Sequence, residues 1–454
     1  MMTNEQHFVG KFDIASEKIE GHLIFNNDNG IILLNLSKKL TDQEIMGRPY
    51  SHISEIKGEL SSGHKIKLIN NKCIMNNSRI MSSQDLSFVS DYAIWTIDEK
   101  NDLNFNALSC ELKNAYKWSS LSSYEENKQG IVFKGTDSKE IVMFGARITF
   151  SLITHNPLIT PPSDEETTTI QRLNISIKTE EKVEFRKLVD IRNKIISLIS
   201  FATHNNISVE KENLIDFDCY VDNPNNYIPF GLFSLSSKYK DLETTQSYCF
   251  YLPQLYNTEN LEETLVKLTP VIDLHTAYYK YPNMPLEMMF LNTVQSLETF
   301  HSRFYYDDDI NIFKQSLEDK YKNNENYNWI VNRLFKDVPP NMDYIVLYSR
   351  LGDLFFGDFD PMFQQYFLED YARVIADTRH YYTHYGKSKE AKALKGEELI
   401  KAISILRILL EYKVCQILNI NIKEYTTIQL SWIKAKEELD KINDESNKDI
   451  ENKS

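Results

Sequence analysis

The feature that most constrains the fold of this chain is a change of hydrophobic period near residue 255. From His7 to about Phe250, short β-branched and aromatic runs are separated by Asn, Asp, Gly and Ser clusters, which is typical of antiparallel sheet. After about Asn257, apolar residues recur at helical spacing over long stretches. The sequence therefore predicts an α+β chain, with a β-rich N-terminal domain over residues 1–255 and an all-α domain over residues 256–440.

The β-rich half contains several predicted strands and one predicted helix. The strands are expected at residues 18–25, 30–36, 65–69, 87–96, 130–134 and 139–154. Near residues 180–203, apolar residues such as Leu188, Ile191 and Ile195 recur at helical spacing, so a helix is expected inside this half. The proline-containing segment 157–169 predicts a loop that subdivides it.

The second half is predicted to be a succession of helices. They are expected from residue 261 onward and at residues 285–305, 310–322, 329–335, 344–352 and 397–418. Asp360 as an N-cap and Pro361 at the first helical position predict a further helix, which continues unbroken into Arg379–His384. Residues 441–454 are charged and poor in apolar side chains, so we expect a disordered tail.

Charge and composition exclude several classes of protein. The 454 residues carry a formal net charge of -14, so the chain as a whole repels phosphate backbones, and RNA binding requires a local basic patch. The five cysteines lie far apart, and neither they nor the histidines of the first half have zinc-ligand spacing, so no metal site is predicted. Nucleotide, hydrolase and metal fingerprints are lacking, so no cofactor is expected. Without a signal peptide or a long apolar run, a cytoplasmic protein that does not enter membranes is expected.

The densest group of side chains suited to catalysis is the sequence RHYYTHYG, which begins at Arg379. Arg379 and His384 form an Arg-x4-His pair, and Arg373 and His380 form an overlapping pair with a longer spacing. RNA cleavage requires one group that accepts the 2′-hydroxyl proton, one that protonates the leaving oxygen, and positive charge beside the phosphorane. Histidine titrates near neutral pH, and arginine can hold two phosphate oxygens at once. These residue types therefore suit RNA cleavage.

The second half of the chain resembles the ApeA-like branch of the HEPN superfamily. The resemblance lies in the segment Gln295–His301, in the RHYYTHYG run and in the Leu/Ile-rich helix after that run. The β-rich first half is similar to the domain that precedes HEPN in ApeA proteins. The resemblance implies a helical, often dimeric ribonuclease in which Arg379 and His384 are catalytic, with His380 at the polar position after the arginine. It also implies an anti-phage abortive-infection nuclease that acts on cellular RNA, with tRNA the leading substrate.

The helical spacing of the motif bears on its oligomeric state. Residues five apart in an ideal helix are separated by about 140° around the axis and about 7.5 Å along it, so one copy is poorly arranged for a compact site. A two-fold dimer would bring two Arg379 and two His384 side chains into one cleft. We therefore expect an RNA substrate, a homodimer or higher homo-oligomer formed through the helical domain, and a phage-derived trigger acting on the N-terminal domain.

The residues around the motif allow both functional and structural interpretations. His384 suits a helix terminus, and Arg379 suits a surface ion pair with Asp377 or Glu369. Of the supporting residues, His380 is expected to position the motif, whereas Tyr382 and Tyr385 either stack on bases or pack in the core or an interface. Four lysines form either a phosphate-binding patch or a solvated loop: Lys387, Lys389, Lys392 and Lys395. The alternative function is a non-catalytic helical module that binds RNA or protein and uses the β-rich half for recognition.

Overall fold

A computed structural model describes most of the chain. The described residues are 5–14, 16–26, 31–39, 52–75, 85–96, 102–122, 124–127, 130–133, 137–155, 170–218, 230–234, 248–281, 283–306, 309–322, 327–335, 338, 344–356 and 361–436. They divide into two compact units, Met1–Ile199 with Asn205–Thr245 and Ser200–His204 with Gln246–Ser454. This division lies near the boundary predicted at residue 255. The predicted loop at 157–169, the Asp360 cap and the tail at 441–454 lie outside the described residues.

The first unit is built mainly from antiparallel strands, which confirms the β-rich prediction. They are β1 (Glu5–Ile14), β2 (Glu17–Asn26), β3 (Ile31–Lys39), β4 (His52–Leu60), β5 (Lys65–Met75), β6 (Asp85–Thr96), β7 (Asn104–Leu112), β8 (Tyr124–Asn127), β9 (Gly130–Phe133), β10 (Ser138–Met143), β11 (Ala146–His155), β12 (Ile170–Glu184), β13 (Val209–Ile215) and β14 (Phe230–Ser234). Two helices accompany them, the short α1 (Tyr116–Ser119) and α2 (Phe185–Thr203). The predicted helix near 180–203 is thus present, but it begins later because β12 continues through Glu184, whose partner in β7 is Asn104.

Strands β1 to β6 close into a barrel. Their order is β6-β3-β2-β1-β4-β5, and β5 also pairs with β6, so the six strands leave no free edge. Alternate residues of these strands face inward and form one apolar cluster that includes Phe12, Leu23 and Phe88. A Cβ at Gly58 would lie 2.5 Å from the Phe12 ring, so glycine is required there for the ring to fill the interior.

The same sheet continues from β6 through β14, β13, β7, β12 and β11 to β10. The run at residues 139–154, which was predicted as one strand, is a hairpin of β10 and β11. Phe144 and Gly145 have φ values of 59° and 68° at the turn, and a tight hairpin turn of this kind reverses the chain.

The second unit is helical, as predicted. Its helices are α3 (Leu252–Leu255), α4 (Leu261–Lys280), α5 (Leu286–His301), α6 (Ile310–Tyr321), α7 (Tyr327–Leu334), α8 (Leu347–Phe356), α9 (Pro361–Leu368), α10 (Tyr371–His384), α11 (Lys387–Glu390), α12 (Gly396–Ile417) and α13 (residues 423–436). A π-helix, Ser302–Tyr306, extends α5. Packing against α5 involves α4, α8, α10 and α12, so α5 is central to this unit. Among the described residues, no helix has the length and apolar character needed to cross a membrane.

The prediction of one unbroken helix from Pro361 to His384 is wrong. The chain leaves the helical conformation after Leu368, and Asp370 has a φ of 57°, in the left-handed region. A new helix, α10, begins at Tyr371. The break follows from the local backbone at Asp370, where a short polar side chain tolerates a conformation that apolar residues rarely adopt. It makes α10 a separate helix that carries the Arg-x4-His motif.

Candidate active site

The motif lies at the C-terminal end of α10. His384 is the last helical residue, and Tyr385 caps the helix in the left-handed conformation, with a φ of 50°. Gly386 then has an extended backbone and leads into α11. A helix end of this kind directs the chain away from the helix axis. The last residues of the helix, Thr383 and His384, are exposed.

Arg379 lies beside a carboxylate of α5. The side chain of Arg379 is 33% exposed, and its Nη2 atom lies 3.8 Å from Oε2 of Glu298. This separation is longer than a hydrogen bond, so the carboxylate attracts the guanidinium without occupying its donors. Neither Asp377 nor Glu369, the ion-pair partners suggested by the sequence, has a described ion pair with Arg379. The guanidinium therefore keeps donors available for a phosphate.

Two imidazole rings lie together at the end of the same helix. His380 and His384 are both exposed, and their ring centroids are 4.8 Å apart with the planes tilted by 55°. Residues four apart are neighbours on a helix surface, which explains the pairing. His380, predicted as a supporting residue, is thus placed directly beside His384. One chain therefore places two exposed imidazole rings side by side at the end of α10.

In the overlapping pair, Arg373 contacts other residues than His380 does. The Arg373 guanidinium lies 4.8 Å from the centre of the Tyr348 ring, and its Nε atom lies 3.6 Å from a carboxylate oxygen of Asp370. These contacts hold Arg373 on another part of the helix. The contacts of Arg379 are looser, which favours Arg379 as the phosphate-binding arginine.

The two supporting tyrosines differ in exposure. Tyr382 is buried and donates a 2.9 Å hydrogen bond from its hydroxyl to the backbone oxygen of Leu394, and burial raises its pKa. Its ring also meets the edge of Phe290 in α5. Tyr385 is 66% exposed and meets the edge of Tyr381, at a centroid distance of 5.5 Å. Tyr382 therefore anchors the motif helix, whereas Tyr385 is accessible to a base.

The loop after the motif is tied back to α10 by a second contact. The backbone nitrogen of Leu394 donates to Oγ1 of Thr378, at 3.1 Å, and Thr378 is itself buried. Together with the Tyr382 hydroxyl, this contact fixes both backbone groups of Leu394. The lysine-bearing loop is thus held at a defined place beside the motif.

The four lysines predicted as a phosphate patch are not equivalent. Lys389 is paired with Asp377, and the ammonium of Lys395 lies 3.7 Å from Glu390 and 5.5 Å from the centre of the Tyr381 ring. Lys387 and Lys392 are exposed and have no ion-pair partner among the described residues. The available positive charge beside the motif therefore comes mainly from Lys387 and Lys392.

Sequence reasoning missed a buried network at the end of α5. His301 places Nε2 3.1 Å from the Asp353 carboxylate, and Arg350 places Nη1 3.4 Å from the His301 Nδ1. All three side chains are buried, and Arg350 and Asp353 belong to α8. Buried polar groups that satisfy one another fix the relative positions of their helices. This network fixes the end of α5, about one turn after Glu298. The sequence does not reveal it, because His301 is far along the chain from Arg350 and Asp353.

The architecture and the motif define a class: a β-rich domain followed by a HEPN helical domain. The family model of ApeA N-terminal domain 1 matches residues 7–260, and that of Apea-like HEPN matches residues 291–422. The chain belongs to the ApeA-like HEPN family, as the resemblance predicted. No curated protein and no solved structure matches the chain significantly.

Proposed function

We propose that this protein is an endoribonuclease of abortive infection, in which Arg379 and His384 cleave cellular RNA without a catalytic metal ion. The observation that carries the proposal is the exposed end of α10, where the rings of His380 and His384 lie 4.8 Å apart on the helix that also carries the partly exposed Arg379. Membership of the ApeA-like HEPN family supports the same activity, because HEPN domains are generally ribonucleases.

The reaction uses only groups that the chain supplies. An imidazole of His384 takes the proton of the 2′-hydroxyl, whose oxygen attacks phosphorus as the bond to the 5′-oxygen breaks. A second, protonated imidazole donates a proton to that leaving oxygen. Arg379 stabilises the additional negative charge on the phosphorane. The products are a 2′,3′-cyclic phosphate and a 5′-hydroxyl.

The second imidazole comes from a second chain in this proposal. Because His384 lies about 140° around the helix from Arg379, one copy directs the two side chains toward different sides of α10. Two α10 helices related by a two-fold axis place His384 of one chain near Arg379 of the other. His380 then positions His384, and Lys387 and Lys392 bind phosphates along the RNA. tRNA is the first substrate to test.

We further propose that the β-rich N-terminal domain restrains the nuclease until a phage-derived trigger binds. A nuclease of cellular RNA that is always active would harm its own cell, so regulation is required. If this is correct, a chain truncated to the helical domain should cleave RNA faster than the full-length chain. Equal or lower activity in a folded truncation contradicts the restraint.

The proposal is tested by incubating the purified full-length chain with total RNA and with tRNA, with and without phage lysate. The mass in solution is measured on the same preparation by light scattering. We expect cleavage by a dimer or larger oligomer. Cleavage by the 53.2 kDa monomer would contradict the composite site. Binding without cleavage under all conditions would favour the non-catalytic module.

The choice of histidine is tested by substitution. We expect His384→Ala to abolish cleavage and His380→Ala to reduce it much less, because His380 positions the motif rather than transferring the proton. Equal losses in the two variants would instead favour the overlapping pair of Arg373 and His380.

A further inference from the structure

The second unit contains a buried group of metal-ligating side chains away from the motif helix. His204, Cys249 and Glu411 are all buried, and one potential ligand atom from each lies within 4.8 Å of the others. His204 follows α2, Cys249 precedes α3, and Glu411 belongs to α12. All three lie in the same compact unit, which includes residues 200–204. The fold thus gathers a set of nitrogen, sulfur and oxygen donors from three segments that are remote in sequence.

A fourth donor faces the same carboxylate. The His275 side chain, in α4, is fully buried, and its Nε2 atom lies 3.5 Å from Oε1 of Glu411. The His204 Nε2 atom lies 3.1 Å from the same oxygen. Among the described residues, neither ring nitrogen of His275 has a hydrogen-bond partner, and Nδ1 of His204 also lacks one. A buried imidazole without hydrogen bonds is costly, and a cation that binds the lone pair of one ring nitrogen offsets part of that cost.

We propose that His204, Cys249, His275 and Glu411 bind one Zn²⁺ ion, which cross-links these segments of the second unit. Four protein ligands of mixed N, S and O type are typical of closed, structural zinc sites. Zinc bonds of about 2.0 to 2.3 Å place tetrahedral ligand atoms about 3.4 to 3.7 Å apart. The separations of 3.1 and 3.5 Å from Glu411 are already close to this range, and the ligand atoms of His204, Cys249 and Glu411, which lie within 4.8 Å of one another, need to approach by only about 1 Å.

The formal charges of the proposed ligand set match those of the ion. Zinc binding requires neutral imidazoles at His204 and His275 and a thiolate at Cys249. A bound divalent cation supplies the charge that stabilises the thiolate. Arg407 lies 3.8 Å from Glu411, but its guanidinium stacks on the Tyr278 ring at 4.1 Å. The thiolate and the carboxylate together balance the charge of the ion.

Cys415 is the competing fourth ligand. It lies one turn after Glu411 in α12, and its Sγ atom is 4.0 Å from that of Cys249. The geometry favours His275, because its Nε2 faces the shared carboxylate oxygen and lacks a hydrogen-bond partner. Substitution of each residue distinguishes the two ligand sets.

The experiment uses the full-length chain, purified after expression with added zinc and then desalted. Elemental analysis should find about one zinc ion per chain. The Cys249→Ser and His275→Ala variants should lose most of it, whereas Cys415→Ser and the control Cys110→Ser should retain it. Cys110 is also buried, but it lies in β7. Loss of zinc in Cys415→Ser together with retention in His275→Ala would overturn the proposed ligand set.

A spectroscopic measurement on the unmodified chain avoids dependence on the folding of any variant. Chelator-stripped protein refilled with Co²⁺ should show the intense visible bands of tetrahedral cobalt and a thiolate charge-transfer band. The melting temperature of the chelator-stripped chain should rise on adding Zn²⁺. Absence of stoichiometric metal, of the charge-transfer band and of the thermal shift would overturn the site. These readouts do not involve RNA, so failure of the zinc site and failure of the proposed nuclease are distinguishable.

Discussion

The β-barrel and the helical unit differ in the kind of side chain that they bury. The barrel core is an apolar cluster around Phe12 and Phe88, in which alternate residues of each strand face inward. The helical unit buries ionisable groups as well, including His301, Asp353 and Glu411, each next to a partner of complementary character. Hydrophobic burial stabilises a fold without specifying chemistry, whereas paired polar groups hold individual side chains in place. From this comparison we expect substitutions in the barrel core to change mainly stability, and substitutions at the motif of the helical unit to change mainly activity.

The largest effect that this comparison predicts is on catalysis. Arg379→Ala and His384→Ala should each lower the rate of RNA cleavage by about 10³-fold, because each removes a group that acts in the transition state. Neither change leaves a cavity in the core, since Arg379 is only partly buried and His384 is exposed, so the melting temperature should stay unchanged. The matched controls are Arg147→Ala and His52→Ala, at exposed positions of the first unit. Wild-type rates in either motif variant would refute the site.

A substitution in the barrel core should instead change stability. Phe12→Ala should lower the free energy of unfolding by about 3 kcal/mol, because it removes a fully buried ring and leaves a cavity. Val9→Ala, at an exposed position of the same strand, should change it by less than about 0.5 kcal/mol. Urea denaturation of both variants measures the difference. Equal effects would show that the strand does not face the barrel interior as described.

The same contrast explains how much could be predicted from the sequence. Strand and helix types follow from local periodicity, and the α6 start was anticipated correctly: the Asp309 side chain accepts hydrogen bonds from the backbone of Asn311 and Ile312. The start of α2 and the break at Asp370 differ from the prediction. Sheet pairing extends β12 to Glu184, and the left-handed backbone of Asp370 ends the helical period there.

For the candidate site, the motif residues were identified in the sequence, but their surroundings were not. The approach of Glu298 to Arg379 joins α5 to α10, and the sequence contains no sign of that pairing. The same is true of the separation of the four lysines into paired and unpaired ones. Such contacts depend on how helices pack, which local patterns do not specify.

A smaller effect on stability is expected at Tyr382, whose ring packs in the core while its hydroxyl makes a hydrogen bond. Tyr382→Phe keeps the packing against Phe290 but removes the hydrogen bond to the Leu394 oxygen, so we expect a loss of about 1 kcal/mol in stability. Cleavage should fall by less than tenfold, because Tyr382 anchors the helix and does not touch substrate. Tyr385→Phe is the control, since Tyr385 is exposed. A loss of cleavage as large as that of His384→Ala, at unchanged stability, would place Tyr382 in the reaction instead.

The smallest effect concerns the lysine loop. The double variant Lys387→Gln, Lys392→Gln should weaken RNA binding and reduce the slope of log affinity against log salt by about one per lysine. The maximal cleavage rate should stay close to that of the wild type. Lys139→Gln, at an exposed position of β10, is the control. An unchanged salt slope in the double variant would show that these lysines lie outside the RNA-binding surface.

The central claim is that α10 cleaves RNA through the 2′-hydroxyl, with Arg379 and His384 as the reacting protein groups. The most direct measurement is the chemistry of the RNA ends produced by the wild-type chain and by the Arg379→Ala, His384→Ala double variant, with EDTA present during the reaction. Our account predicts 2′,3′-cyclic phosphate and 5′-hydroxyl ends from the wild type, resistance of RNA carrying a 2′-deoxy nucleotide at the cut site, and no cleavage by the double variant. Cleavage that requires an added divalent cation and leaves 5′-phosphate ends would contradict it.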